Sequence, residues 1–215
     1  MISTFPVFIQ CIISPVKTQS FTIFVPYPDK KRVRLQLIGE HNVYNALAAM
    51  AGAAAYGVPL ADSAKALATA RLTGSRQEIV YTGSLTFIND AYNASPASME
   101  AALKTLHEAK RANKQGRTIA VLADMLELGP ISEDAHRRVG KWAVANGVDY
   151  VLTYGEEAAF ISQEIVTAES TTKTEHFPDR LAAAEALRSL VQAGDIILLK
   201  GSHSMQVDKM LEMFK

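Results

Sequence analysis

Cysteine is almost absent: Cys11 stands alone in 215 residues. A single thiol excludes an internal disulfide and a cysteine-built metal site, and fits a reducing, cytoplasmic setting. An excess of either charge is missing too, because 22 Lys and Arg balance 22 Asp and Glu. A neutral chain gives no reason to expect nucleic acid as a partner, although a local basic cleft is compatible with neutrality. No apolar run is long enough to span a bilayer, so no membrane insertion is expected. The apolar opening from Met1 to Val16 has no preceding Lys or Arg, is broken by Pro6 and Pro15, and leads to no small-residue cleavage pattern. It reads as a strand or strand remnant. Also absent is any Gly-x-x-x-x-Gly-Lys-Ser/Thr, which excludes a P-loop within these residues. There is no internal repeat and no low-complexity tract.

What is present is core-forming material. Nearly half the residues are apolar, enough for one large domain or two small ones. Residues 21–26 and 32–37 read as two strands joined by a turn at 28–31. Helices follow at 41–56, stopped by Gly57 and Pro59, and at about 60–70. Strands are then expected at 79–81, 85–89, 118–122, 150–154, 175–177 and 195–199. Helices are expected at 97–111, 133–146, from about 156, at 180–192 and at 205–213. Buried strands alternating with helices argue an α/β fold with a mainly parallel, doubly wound sheet. The spacing places a boundary near Gly83, giving parts 1–82 and 83–215. In such a sheet ligands sit beyond the carboxyl ends of the strands, where Asp90, Asp124, Tyr154 and Lys200 fall.

Five motifs carry the candidate chemistry. Asn42 and Asn45 lie three apart at a helix start, and a carboxamide matches the N6 and N7 edge of adenine; alternatively Asn42 caps the helix and Asn45 is solvated. Arg76, in Gly74-Ser75-Arg76, offers a permanent forked cation for phosphate, or is simply exposed. Asp90 ends a strand where a carboxylate can accept from ribose hydroxyls. Ser95 before Pro96 signals a capped helix start, whose free amides suit an anion. Asp124 opens a binding loop, with Leu126 and Leu128 as packing residues and His136 as a structural or solvated histidine. Lys200-Gly201-Ser202 repeats the pattern of strand, small-residue turn and helix start, with Lys200 able to offset developing negative charge.

Taken in order, His-Asn-x-x-Asn, Gly-x-Arg, Asp-x-Tyr-Asn-Ala-x-Pro-x-Ser-Met, Ala-Asp-Met-Leu-Glu-Leu-Gly and Lys-Gly-Ser resemble the Mur ligase family, from about Phe21 to the C-terminus. Residues 93–99 are similar to the member that adds a D-alanyl-D-alanine dipeptide; the Asp-Asn-Pro-Arg usual in the diamino-acid-adding member is not found. The resemblance implies a Rossmann-like C-terminal ligase domain preceded by a remnant of the central ATPase domain. It implies ATP and Mg2+ as cofactors, with most magnesium ligands outside these residues and no metal ligand within them. The implied partners are ATP, UDP-N-acetylmuramoyl-tripeptide and D-alanyl-D-alanine. By the same resemblance Asn42 and Asn45 contact adenine, Asp90 the ribose, and Arg76 the phosphates, where it is the one catalytic candidate. Asn93, Ser95, Asp124, Lys200 and Ser202 are expected near the dipeptide. His203 stands where the family commonly has Arg. The implied reaction is amide-bond formation through an acyl phosphate, by a partial enzyme expected to be inactive alone. The alternatives are a non-catalytic nucleotide- or dipeptide-binding module, and another Mur or folylpolyglutamate-type ligase.

Overall fold

A computed structural model describes residues 8–13, 19–24, 30–37, 39–71, 74–112 and 116–214. The chain divides into two compact units, Met1–Leu72 and Thr73–Lys215.

The first unit holds a three-stranded antiparallel sheet in the order β1 (Phe8–Ile13), β2 (Gln19–Phe24), β3 (Lys30–Leu35). Gln19 faces Leu35 and Phe24 faces both Phe8 and Lys30 across the ladders. The strand expected in the apolar opening is β1, and the two expected hairpin strands begin two residues earlier than the sequence suggested. Residues 25–29, which include part of the expected turn, lie outside the described residues. Helix α1 (Glu40–Ala55) buries Val43, Ala46 and Met50, a three- and four-residue spacing that keeps them on one face. They pack on Val33 and Leu35, with Leu60, Ala64 and Leu67 of α2 (Leu60–Ala68) alongside. The α1 terminus shows why Gly57 stops it. Gly57, at φ +81°, donates to Ala54 O and Val58 donates to Ala53 O, so the last carbonyls are satisfied by a left-handed turn that Pro59 then leaves.

The second unit is a six-stranded sheet in the order β4-β5-β9-β6-β7-β8. Its strands are β4 (Glu78–Thr82), β5 (Leu85–Asn89), β6 (Thr118–Ala123), β7 (Tyr150–Tyr154), β8 (Lys173–Phe177) and β9 (Ile196–Lys200). Only β4 is antiparallel to its neighbour; the other pairings are parallel. Central β6 and β9 are buried at every position, as strands covered on both faces must be. One face carries α6 (Arg180–Leu190) and the C-terminal segment, through Ala183, Leu187, Val207 and Met210. The other carries α3 (Pro96–Ala112), α4 (Ser132–Ala145) and α5 (Ala159–Thr167). No described helix is long and apolar enough to cross a membrane.

Two expectations are corrected. The compact units part between Leu72 and Thr73, not near Gly83, because Gly83 lies in the tight turn of the β4–β5 hairpin and β4 belongs to the second sheet. The expected last α-helix is instead two 3₁₀ segments, His203–Met205 and Val207–Phe214. Gln206, at φ +53°, separates them.

The amino ends of β6 and β9 are held by a buried carboxylate. Asp195 accepts from Arg117 Nη2 at 2.7 Å, Arg117 Nε at 3.1 Å, the Arg117 N–H at 3.1 Å and the Gln192 N–H at 2.8 Å. Asp149 does similar work at β6 and β7, accepting from the Thr118 N–H at 2.7 Å, Thr118 Oγ1 at 2.9 Å and Lys110 Nζ. Burial alone would raise the Asp149 pKa, but these partners outweigh it and hold it below the usual aspartate range. Asp195→Ala should cost about 3–5 kcal/mol in urea denaturation, because it strands a partly buried guanidinium and backbone donors. Asp149→Asn should cost about 1.5–3 kcal/mol near neutrality. A lowered carboxylate pKa stabilises above the unfolded value of about 3.9 and ceases to do so as pH falls through the folded value. The gap between wild type and Asp149→Asn should therefore close in acid, as read by unfolding midpoints at stepped pH.

Candidate functional site

Strands β5 and β9 are parallel neighbours, so the residues that follow them emerge at the same end of the sheet. There Asp90 donates its N–H to Leu199 O at 2.9 Å and receives Lys200 Nζ on Oδ2 at 2.6 Å. Lys200 Nζ also lies 3.3 Å from Asp90 O and 3.0 Å from Asn93 O. An ammonium has three hydrogens and no acceptor, and these three oxygens match them. Lys200 is only 1% exposed, so its charge requires such company. Burial pushes the Lys200 pKa down and nearby Arg76 adds to this, while the Asp90 carboxylate opposes it.

The other carboxylate oxygen of Asp90 accepts the Gln77 N–H at 3.2 Å, which ties the segment before β4 to the end of β5. Arg76 lies in that segment. It is exposed, with its guanidinium 3.8 Å from the centroid of the Tyr92 ring. Tyr92 donates its N–H to Ser75 O at 2.9 Å, and its ring packs by Gly74, where an added Cβ would come within 3.2 Å of it. His203 completes the row, its ring centroid 6.0 Å from that of Tyr92. The structure thus gathers Arg76, Asp90, Asn93 and Lys200 into one cluster. Asn93 turns its own Oδ1 back to the Ala94 N–H at 2.8 Å.

Ser95 caps α3 as expected. Its Oγ accepts the Ser98 N–H at 3.4 Å, and Ser98 Oγ accepts the Ser95 N–H at 2.9 Å. This is the reciprocal arrangement of a capping box, with Ser98 in the place usual for Glu or Gln.

Asp124 and Ser202 meet at the ends of β6 and β9. Ser202 donates its N–H to Asp124 O at 2.9 Å, and Ser202 Oγ accepts the Leu126 N–H at 2.9 Å. The Asp124 carboxylate faces the loop after β7, accepting the Ala158 N–H at 2.7 Å. Burial raises its pKa; the backbone N–H groups of Ala158 and Glu157 and nearby His136 oppose this, and the Glu157 charge reinforces it. Gly155, at φ +107°, makes room: a Cβ there would lie 2.4 Å from Asp124 Oδ1. His136 is structural. Its Nε2 accepts the Met125 N–H at 3.0 Å, so Nδ1 carries the proton and donates to Ser132 O at 2.8 Å. Tyr154, the fourth polar residue at a strand end, donates its hydroxyl to Met205 O at 2.6 Å, and burial raises its pKa.

Asn42 and Asn45 belong to the first unit. Gly39, not Asn42, occupies the capping position of α1. Asn42 is buried in the first turn, and its Oδ1 accepts from Asn45 Nδ2 at 3.4 Å. The spacing did bring the two amides to one side.

Sequence reasoning passed over Gln77, Tyr92, Ser98 and Gly155. Tyr92 and Ser98 lie inside the Asp-x-Tyr-Asn-Ala-x-Pro-x-Ser-Met motif and Gln77 directly follows Gly-x-Arg, but their partners are set by loop geometry; Gly155 gave no signal beyond following a strand. Two open grooves of about 440 and 510 Å3 flank β8, at the far edge of the sheet from β4 and β5. Neither is lined by residues of the clusters above. Among the described residues no three His, Cys, Asp or Glu side chains gather as a metal site requires.

A family model described as Mur ligase, glutamate ligase domain, matches residues 75–203. The chain is similar to the UDP-N-acetylmuramoyl-tripeptide–D-alanyl-D-alanine ligase of Bacillus subtilis, with 36% identity over 179 residues, covering 83% of this chain and 38% of that protein. Its likeness to the Escherichia coli ligase of the same name is 37% over 183 residues, with the same coverage. The crystal structure of MurF from Acinetobacter baumannii superposes with a TM-score of 0.84 at 30% identity, over 97% of this chain and 44% of that one. The chain therefore spans less than half the length of these relatives.

The Lys200–Asp90 pair gives the cluster its test. Lys200→Met should cost about 3–5 kcal/mol by leaving the Asp90 carboxylate buried without its cation. Adding Asp90→Leu to that variant should recover part of the loss, so that urea denaturation yields a total below the sum of the two single changes.

Proposed function

The chain belongs to the Mur ligase family, and from that premise we propose that it is the C-terminal portion of a ligase that joins D-alanyl-D-alanine to UDP-N-acetylmuramoyl-tripeptide at the expense of ATP. The observation that carries the reading is the convergence of an exposed cation, Arg76, and a fixed carboxylate, Asp90, at the carboxyl end of β5. A forked guanidinium suits phosphate oxygens, and a carboxylate suits paired ribose hydroxyls. On this reading Asn42 and Asn45 take the adenine edge. Asn93, Ser95, Asp124, Lys200 and Ser202 shape the side of the second unit that meets the dipeptide. Lys200, Asp124 and Ser202 do so by holding the loops, since their polar atoms are engaged with protein groups.

In the reaction so assigned, a carboxylate oxygen of the tripeptide attacks the γ-phosphorus of ATP, and ADP leaves. The dipeptide amine then attacks the acyl carbon, loses a proton, and expels orthophosphate. The enzyme's part is to position the reactants and stabilise charge, and Arg76 would steady the phosphate oxygens. Magnesium would screen those oxygens when bound; the donor set described for this chain does not form a site for it, so its ligands are assigned to the preceding part of a full-length ligase. The cytoplasm is the compartment that goes with this reading.

These 215 residues contain no P-loop sequence, and the chain by itself is expected to be inactive. Given ATP, magnesium, UDP-N-acetylmuramoyl-tripeptide and D-alanyl-D-alanine, it should release no orthophosphate above background. Dipeptide-dependent release would refute this. Calorimetric titration with ADP and with the dipeptide distinguishes a non-catalytic binding module, which takes up ligand, from a portion that binds only when the rest of the ligase is present.

A further inference from the structure

Arg76 has a long side chain on the surface, and among the described residues no carboxylate forms a salt bridge with it. A guanidinium in that position would ordinarily sample many rotamers, and ordering it on a phosphate would cost entropy. Here it does not hang free, because its guanidinium carbon sits over the Tyr92 ring, 3.8 Å from the centroid. We propose that Tyr92 is a positioning residue: its ring is the platform that aims the Arg76 guanidinium at an anionic ligand, and Gly74 is the gap that lets the ring lie there. This rests on the assignment of Arg76 to nucleotide phosphates.

Three independent contacts set the platform. The Tyr92 N–H is fixed to Ser75 O at 2.9 Å, so the ring is anchored one residue from the arginine it supports. Gly74, at φ +71°, presents only a Cα beneath the ring, and a side chain there would press on it at 3.2 Å. The Gln77 N–H, on the other side of Arg76, is held by Asp90 Oδ1 at 3.2 Å. Arg76 is thus fixed at the backbone on both sides and stacked at its tip. A contact with the ring face takes up none of the in-plane N–H groups as hydrogen-bond donors, so they remain to fork onto phosphate oxygens. A carboxylate partner would consume those same N–H groups, whereas an aromatic face orders the cation and leaves them open. The Tyr92 hydroxyl has no part in this, so Phe should serve at position 92 and an aliphatic residue should not.

The test uses the 215-residue chain, nuclear magnetic resonance and ADP as the probe. In the unaltered chain the Arg76 side-chain protons should be shifted upfield by the ring and should lose that shift in Tyr92→Leu. ADP affinity should fall about 10-fold or more in Arg76→Ala, the loss of a charge-assisted contact. It should fall about 2- to 5-fold in Tyr92→Leu, the scale of an exposed cation–π contact, and stay within about 2-fold in Tyr92→Phe. Tyr92→Leu should add nothing to Arg76→Ala. Tyr92 is 44% exposed, so these variants should keep the unaltered urea midpoint to within experimental scatter. A loss in Arg76→Ala with none in Tyr92→Leu overturns this inference alone. So does an undiminished Tyr92→Leu effect in the Arg76→Ala background, which would mean the ring touches the ligand directly. An Arg76→Ala variant that binds ADP as well as the original overturns both this inference and the phosphate assignment beneath it, and Arg76 protons that show no ring-induced upfield shift overturn this inference whether or not the chain alone binds ADP.

Discussion

The second unit turns on an ammonium group that cannot reach water. Once Lys200 is placed at the end of a strand buried on both faces, its charge must be answered from within, and the answers come from Asp90 and Asn93. That requirement fixes the path of the chain as it leaves β5. It sets the Asp90 carboxylate, which in turn holds the Gln77 N–H and so the segment that carries Arg76. A buried cation thereby governs the placement of an exposed one. The sheet supplies the scaffold, but the ion pair decides where the loops above it lie.

The same economy of polar groups recurs around the sheet. At the amino ends Asp195 and Asp149 each gather backbone and side-chain donors from two strands. At the carboxyl ends Asp124 and Ser202 join the loops after β6, β7 and β9. Most hydrogen bonds of this kind contribute only about 1 kcal/mol each, yet leaving one of these buried groups unpaired costs more than making the bond gains. The polar residues at the ends of the strands therefore act first on loop geometry. Arg76, by contrast, stays exposed.

How much of this could be read in advance depended on the range of the cause. Alternating apolar strands and helices made the parallel sheet legible, and local chemistry marked the ends of α1 and α3 through Gly57 and Ser95-Pro96. The boundary was misplaced because β4 is only half-buried and its membership of the second sheet comes from pairing with β5, not from its own pattern. The C-terminal segment has helical spacing, but nothing local in it showed the left-handed turn at Gln206 that leaves two 3₁₀ pieces. For the site, residue types pointed to Asp90 and Lys200 separately. Their union joins positions far apart in sequence, and strand order, which no local window contains, creates it.

Gly155 shows what such a design implies for the chain's history. With no side chain there, the Asp124 carboxylate fits against the turn after β7; any Cβ would drive it out. Two surface segments that an observer would treat as separate loops are thus a single mechanical part, and substitutions in one are constrained by the other. The conformational freedom of both segments is surrendered during folding, so neither can be reshaped without the other.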